Sequence, residues 1–244
     1  MKTNYLSSLI IAAATVITAL IFANAFKNRN NQADTIKVTG LGKKDFISDL
    51  IVWRGSFSRK SMELKEAYAD LDKDRESIKK YLLGKGVKEE NIVFSSIDIS
   101  KEFDNTYNQD GRQVKSTFTG HLLKQNVQIE SKEVDKIEAI SREVSELINS
   151  GIEFYSNPPD YYYTKLGELK IEMIAEATKD ANQRATKIAE NSKGSVGRLK
   201  KADVGVFQIT APNSAEDYSW GGTFNTSSKR KTATVTVKLE YKID

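Results

Sequence analysis

From Thr3 to Phe26 the chain carries no charged side chain. Lys2 precedes this run, and Lys27 and Arg29 follow it. Within it, Leu6–Phe26 holds ten Leu, Ile, Val or Phe residues. At about 0.3–0.6 kcal/mol each, they favour membrane insertion by roughly 3–6 kcal/mol together. Ser7, Ser8, Thr15, Thr18 and Asn24 offset part of that. A helix of this length spans about 31 Å, close to the thickness of a bilayer core.

The run has two main readings. Ala23-Asn24-Ala25 has the small-x-small form of a signal-peptidase site. An uncleaved anchor is preferred, because the run is long for a signal and Lys27 and Arg29 sit just past the candidate cut. A buried core helix is a third reading, weakened because no face of the segment is polar. The first two place the rest of the chain outside the cytoplasm, in the cell envelope. The membrane is then a partner through residues 3–26. The expected division is 1–27 anchor or signal, 28–34 linker and 35–244 one folded domain.

Composition excludes several chemistries. There is no cysteine, so disulfides, thiolate metal sites and Cys nucleophiles are out. The single histidine, His121, excludes multi-His metal sites. No cofactor is expected. The formal net charge is +4, and no basic block is longer than Lys229-Arg230-Lys231, so nucleic acid is not an expected partner.

Periodicity predicts the elements. Thr35–Thr39 reads as a strand, Gly40–Lys44 as a turn and Asp49–Ser58 as a second strand with Ile51, Trp53, Gly55 and Phe57 on one face. Ser61–Leu83 is an amphipathic helix with Ser61 as N-cap and a stripe of Leu64, Ala67, Leu71, Ile78 and Leu82. Ile92–Lys101 is a strand and Asn105–Arg112 a turn. Val114–Glu130 is a long strand whose apolar parity changes, which predicts a β-bulge near Leu122–Lys124. Lys132–Asn149 is a second helix and Gly151–Ser156 a short strand. Leu166–Lys193 is a third helix whose face of Leu169, Met173, Ala177, Ala181, Ala185, Ile188 and Ala189 is thin enough for close packing. Leu199–Thr210 is a strand region, Ala211–Ser228 a loop and Thr232–Asp244 a closing strand able to offer an edge. The order β-β-α-β-β-α-β-α-β-β predicts an α+β fold with mixed or antiparallel sheets and three amphipathic helices, preceded by one hydrophobic helix.

Several stretches together carry a likeness. IKVTGLGKKDF follows the apolar segment, and a helix ends in LLGKGVKEENIVFSSIDI. GHLLKQNVQI and AEATKDANQRATKIAENSKGSVGRLKKADV come next, before the alternating closing strand. In order and spacing the chain resembles the SIMPL-domain family over about Thr35–Ile243. The resemblance implies an envelope or periplasmic protein without established catalytic residues, connected with oxidative or envelope stress and capable of ring-like assembly. His121 stands where the family usually has Tyr, so no role passes to it.

Several residue groups are candidate sites. Gly40-x-Gly42 lacks the third glycine and a following helix, which argues against a phosphate loop. His121 has no nucleophile elbow around any serine. The acidic run Asp70, Asp72, Asp74 and Glu76 reads as a solvated helix face. Two aromatic groups are interface candidates. Tyr161, Tyr162 and Tyr163 follow Pro158-Pro159, the alternative being a strand with alternate tyrosines in the core. Tyr218, Trp220 and Phe224 lie in the long loop, the alternative being a loop folded back over the sheet. The expected function is non-enzymatic: an anchored, self-assembling homo-oligomer serving envelope integrity or stress tolerance. A binding module for a small hydrophobic or peptide ligand and an unrecognised hydrolase are the rivals.

Overall fold

The computed structural model describes residues 3–29, 35–215 and 219–243. It opens with α1 (Thr3–Arg29). The stretch Ser7–Lys27 is long and apolar enough to cross a membrane, and all of it is exposed. Thr15 and Thr18 donate their hydroxyls to the carbonyls of Ile11 and Ala14, at 2.8 Å each. Their polarity is thus satisfied inside the helix, as an apolar surround requires. The helix includes Asn28 and Arg29, assigned to the linker from sequence; 30–34 lie outside the described residues.

The chain continues as β1 (Thr35–Ile47), β2 (Leu50–Ser61), α2 (Leu64–Gly84), β3 (Ile92–Phe94), β4 (Asp98–Tyr107), β5 (Gln113–Ser131) and α3 (Val134–Glu143). After a 3₁₀ segment (Val144–Ser150) come β6 (Phe154–Ser156), β7 (Asp160–Tyr162), α4 (Leu166–Asn191), β8 (Val196–Val204), β9 (Gln208–Thr210) and β10 (Arg230–Ile243). The class is α+β, as the alternation of patterns predicts. One sheet has the order β1-β10-β8 with β9 also beside β10; the other has β3-β5-β2-β6, with β4 on β5 and β7 on β2. The chain forms two compact units, Met1–Lys43 with Lys170–Phe207 and Thr234–Asp244, and Lys44–Leu169 with Gln208–Ala233.

In the second of these, β2 is central. It pairs antiparallel with β5 from Ile51↔Ser131 to Ser61↔His121. Its other edge carries β6 and β7. Ile51, Trp53 and Phe57 are fully buried on the face predicted for them. Each such side chain contributes about 1.5–3 kcal/mol by leaving water. Gly55 shares that face because a Cβ there would lie 2.1 Å from the Phe154 ring. Ala67, Leu71, Ile78 and Leu82 of α2 and Val134, Ile137 and Ile140 of α3 close this core.

Around α2 and α3 the structure departs from the sequence pattern at three points. Ser61 is not the N-cap: α2 starts at Leu64 after Glu63, and Leu64 is exposed. Ser61 Oγ instead accepts from the Glu63 N–H (3.2 Å) and donates to Glu66 (2.6 Å). The second helix is α-helical only to Glu143 and then tightens to 3₁₀, which keeps Val144 and Leu147 inside and turns Ile148 outward. Asp74 is not on a solvated face. It is buried and takes Nε and Nη2 of Arg59 at 2.5 and 2.8 Å.

β4 and β5 form a hairpin ribbon. β4 runs on to Tyr107, into the predicted turn, and Asn108 Oδ1 closes the reversal by accepting from the N–H groups of Asp110 (3.0 Å) and Arg112 (2.9 Å). The register shifts at Thr119 and Val114, not at Leu122–Lys124: Glu102 faces Gly120 and Phe103 faces Phe118, and Thr106 faces Lys115 and Tyr107 faces Gln113. Gly120 has φ +133°, and a Cβ there would lie 2.8 Å from the Ser61 carbonyl oxygen.

In the other unit, α4 lies against Gly40 and Gly42 of β1. Gly40-Leu41-Gly42 is not a turn; β1 runs straight through it. A Cβ on Gly40 would stand 2.0 Å from the Ala177 carbonyl oxygen, and one on Gly42 2.5 Å from that of Met173. Met173, Ala177, Ala181, Ala185 and Ala189 are buried as predicted, whereas Ile188 is exposed. β10 lies between β1 and β8, so the closing strand is central and offers no edge there. Val235, Val237, Leu239 and Tyr241 are buried. On the opposite face Lys238 pairs with Asp203 and Glu240 with Lys201 across the β10–β8 ladder. Alternating charge suits a water-facing side.

Candidate interaction surface

The long loop is built on β9, within the second unit. The buried Gln208 side chain threads it: Nε2 donates to the Ser219 carbonyl (2.8 Å), and Oε1 accepts from the N–H groups of Thr223 (2.8 Å) and Ser219 (3.3 Å). Ile209 donates its N–H to the Thr223 carbonyl (2.7 Å) and accepts from Asn225 (2.9 Å). Lys231, also buried, donates its ammonium to the carbonyl of Asn225 and to its side-chain Oδ1. The Tyr161 N–H donates to the Thr226 carbonyl at 2.7 Å. Lys229 bridges Asp135 and Glu138 of α3, and Asp135 holds its ammonium above the ordinary lysine range.

This frame presents one turn. Gly222, at φ +93°, donates its N–H to the Ser219 carbonyl (3.1 Å), and between them Trp220 is 100% exposed. Phe224 is half-exposed and its ring lies 6.4 Å from that of Tyr162. Tyr218 lies outside the described residues. Loop and tyrosine strand are therefore brought together through Phe224 and Tyr162.

The tyrosines divide. Tyr161 is buried in the core, where burial pushes its hydroxyl above the ordinary tyrosine range. Tyr162 and Tyr163 are half-buried, and Tyr163 packs on Phe46 with centroids 4.9 Å apart. An exposed indole on a backbone held from several sides loses little freedom on contact with an apolar or peptide surface. Gln208 and Lys231, which do the holding, carry no signal in the sequence; each reads as one polar residue of a strand.

His121 sits at the root of the ribbon, 5.2 Å centroid to centroid and edge-on to Phe118. Its Nδ1 is buried without a hydrogen-bond partner among the described residues.

The fold thus defines an α+β protein that carries a helix of membrane-spanning length and a braced loop with an exposed tryptophan. Residues 36–241 match the model of the SIMPL family, described as a protein of unknown function (DUF541), and the chain belongs to that family. No curated protein matches the chain.

Proposed function

We propose that this chain is a non-enzymatic, envelope-anchored SIMPL-domain protein that self-assembles and contributes to envelope integrity or stress tolerance. Trp220 carries the reading. Exposing an indole completely has a solvation cost that a monomer gains nothing from, and its loop is held by Gln208 and Lys231 rather than left free. Aromatic residues at such positions dominate interface energies. The apolar helix supplies the membrane attachment.

Light scattering on the detergent-extracted full chain tests assembly, with a protein mass several times that of one chain expected. A monomer at high micromolar concentration overturns assembly and favours the same loop as a binding site for a small hydrophobic or peptide ligand. Protease added to spheroplasts tests the compartment and is expected to digest the domain. Protection overturns the topology, while a mature N-terminus at Phe26 replaces the anchor by a cleaved signal in the same compartment.

A further inference from the structure

The β4–β5 ribbon outruns its sheet. β2 leaves β5 at Ser61↔His121, while β5 continues back to Gln113 paired with β4 alone. The departure is marked by the Thr119 bulge and by Gly120, whose backbone passes too close to Ser61 for any side chain. Beyond it, no strand among the described residues covers the second edge of β5 over 113–119. A two-stranded ribbon is marginal in water by itself. This one also exposes apolar side chains: Phe103, Tyr107 and Val114 are each at least half exposed. Phe103 and Phe118 meet edge to face across the strands, their centroids 5.6 Å apart.

The two edges of the ribbon differ in what they tolerate. A strand joining a sheet antiparallel about a twofold axis sets residues of equal parity opposite one another. For β4, Asp98–Tyr107, the two self-registers of fullest overlap place Glu102 against Glu102 or Glu102 against Asp104. Like charges directly opposite oppose pairing, so that edge is guarded. For Gln113–Thr119 the full-overlap register centres on Ser116. It sets Lys115 against Thr117 twice, with no like charges opposed, inside the regular stretch Lys115–Phe118 that the register shifts at Val114 and Thr119 bound. The ribbon thus has one edge that repels its own copy and one that matches it.

We infer that the regular part of β5 around Ser116, within residues 115–118, pairs antiparallel with the same segment of a second copy of this chain about a twofold axis at Ser116, making one four-stranded sheet of two ribbons. The inference rests on the self-assembly reading and assigns it a surface. The contact is isologous and closes at two chains. Larger assemblies then need a separate surface, for which the Trp220 loop is available.

The chain has no cysteine, so a single introduced one reports the register. In the paired sheet the two Ser116 Cα atoms are about 4.5–5.5 Å apart, within disulfide reach. The two Gln113 Cα atoms are roughly 20 Å apart. Detergent-extracted full-length Ser116→Cys and Gln113→Cys are oxidised with copper phenanthroline and run on non-reducing gels. Ser116→Cys is expected to give predominantly linked dimer, at least tenfold faster than Gln113→Cys. Thr117→Lys, which sets a lysine against Lys115 of the second copy on both sides of the axis, is expected to weaken the dimer at least tenfold in light scattering with circular dichroism unchanged. Equal or absent linking of both cysteine variants, in a wild-type chain that scatters as an oligomer, overturns the ribbon contact and leaves assembly standing. A wild-type chain that scatters as a monomer overturns both.

Discussion

Gly40 lies so close to Ala177 that a Cβ on it would be 2.0 Å from the Ala177 carbonyl oxygen and 2.7 Å from the Ala181 Cβ. Backbone rests on backbone here, and both the glycine and the alanines are there to allow it. Ala181→Leu is expected to cost about 1–3 kcal/mol by overpacking. Gly40→Ala is expected to cost at least as much, since the obstruction is main chain and has no rotamer to yield. Denaturant unfolding checks both; an unchanged midpoint for either rejects the close packing.

The Arg59–Asp74 pair joins β2 to α2, and Arg59 also donates to the Gly151 carbonyl at 2.9 Å. Asp74→Asn removes the charge from two charge-assisted bonds at a buried carboxylate, and is expected to cost about 1.5–3 kcal/mol. Arg59→Lys keeps the cation but not the fork, and is expected to retain only part of the stability. If thermal melts show Arg59→Lys equal to wild type, the two-pronged geometry contributes nothing.

Asp180 accepts the Leu41 N–H (2.9 Å) and Arg184 Nε (2.9 Å), and these bonds hold its carboxyl below the ordinary aspartate range. A carboxyl depressed in the folded state adds stability that is complete above its unfolded value and lost as pH falls through the folded one. The group is partly exposed, so the gain is at most about 1 kcal/mol. Asp180→Asn is expected to lower the melting midpoint at pH 7, with the gap to wild type closing below about pH 4. A gap independent of pH would assign the loss to shape.

Trp220 and Gln208 separate contact from support. Trp220→Ala removes a wholly exposed ring and is expected to change stability by less than about 0.5 kcal/mol. Gln208→Ala removes buried hydrogen bonds to Ser219 and Thr223 and is expected to cost about 1–3 kcal/mol. Calorimetry measures both, and light scattering on the same samples reads their effect on assembly. A destabilising Trp220→Ala would mean that the indole packs on the protein in solution.

Much of the fold is legible from spacing. Ile51, Trp53 and Phe57 alternate because one face of β2 is covered, and the alanines of α4 recur every fourth residue because that face is inside. The uncharged run to Phe26 is equally direct, since length and charge alone decide whether a helix suits a bilayer. Sequence pattern misleads where one residue type serves two purposes. Gly40-Leu41-Gly42 reads as a turn because glycine usually marks one, yet here it clears a path for α4. Asp74 reads as solvated because its neighbours are, yet its own direction on the helix is inward.

Sequence by itself determined the amphipathic elements, the α+β class, the membrane-length helix and the absence of cysteine chemistry, because each follows from local pattern or composition. Tertiary structure decided which residues of the aromatic groups remain exposed: Tyr161 entered the core and Trp220 did not. It also placed β10 between two strands and, among the described residues, left the edge of β5 opposite β4 without a strand beyond His121. A strand's own pattern states which face meets a core and is silent on how many neighbours its edges acquire. Those neighbours come from distant segments whose pairing only the folded chain settles.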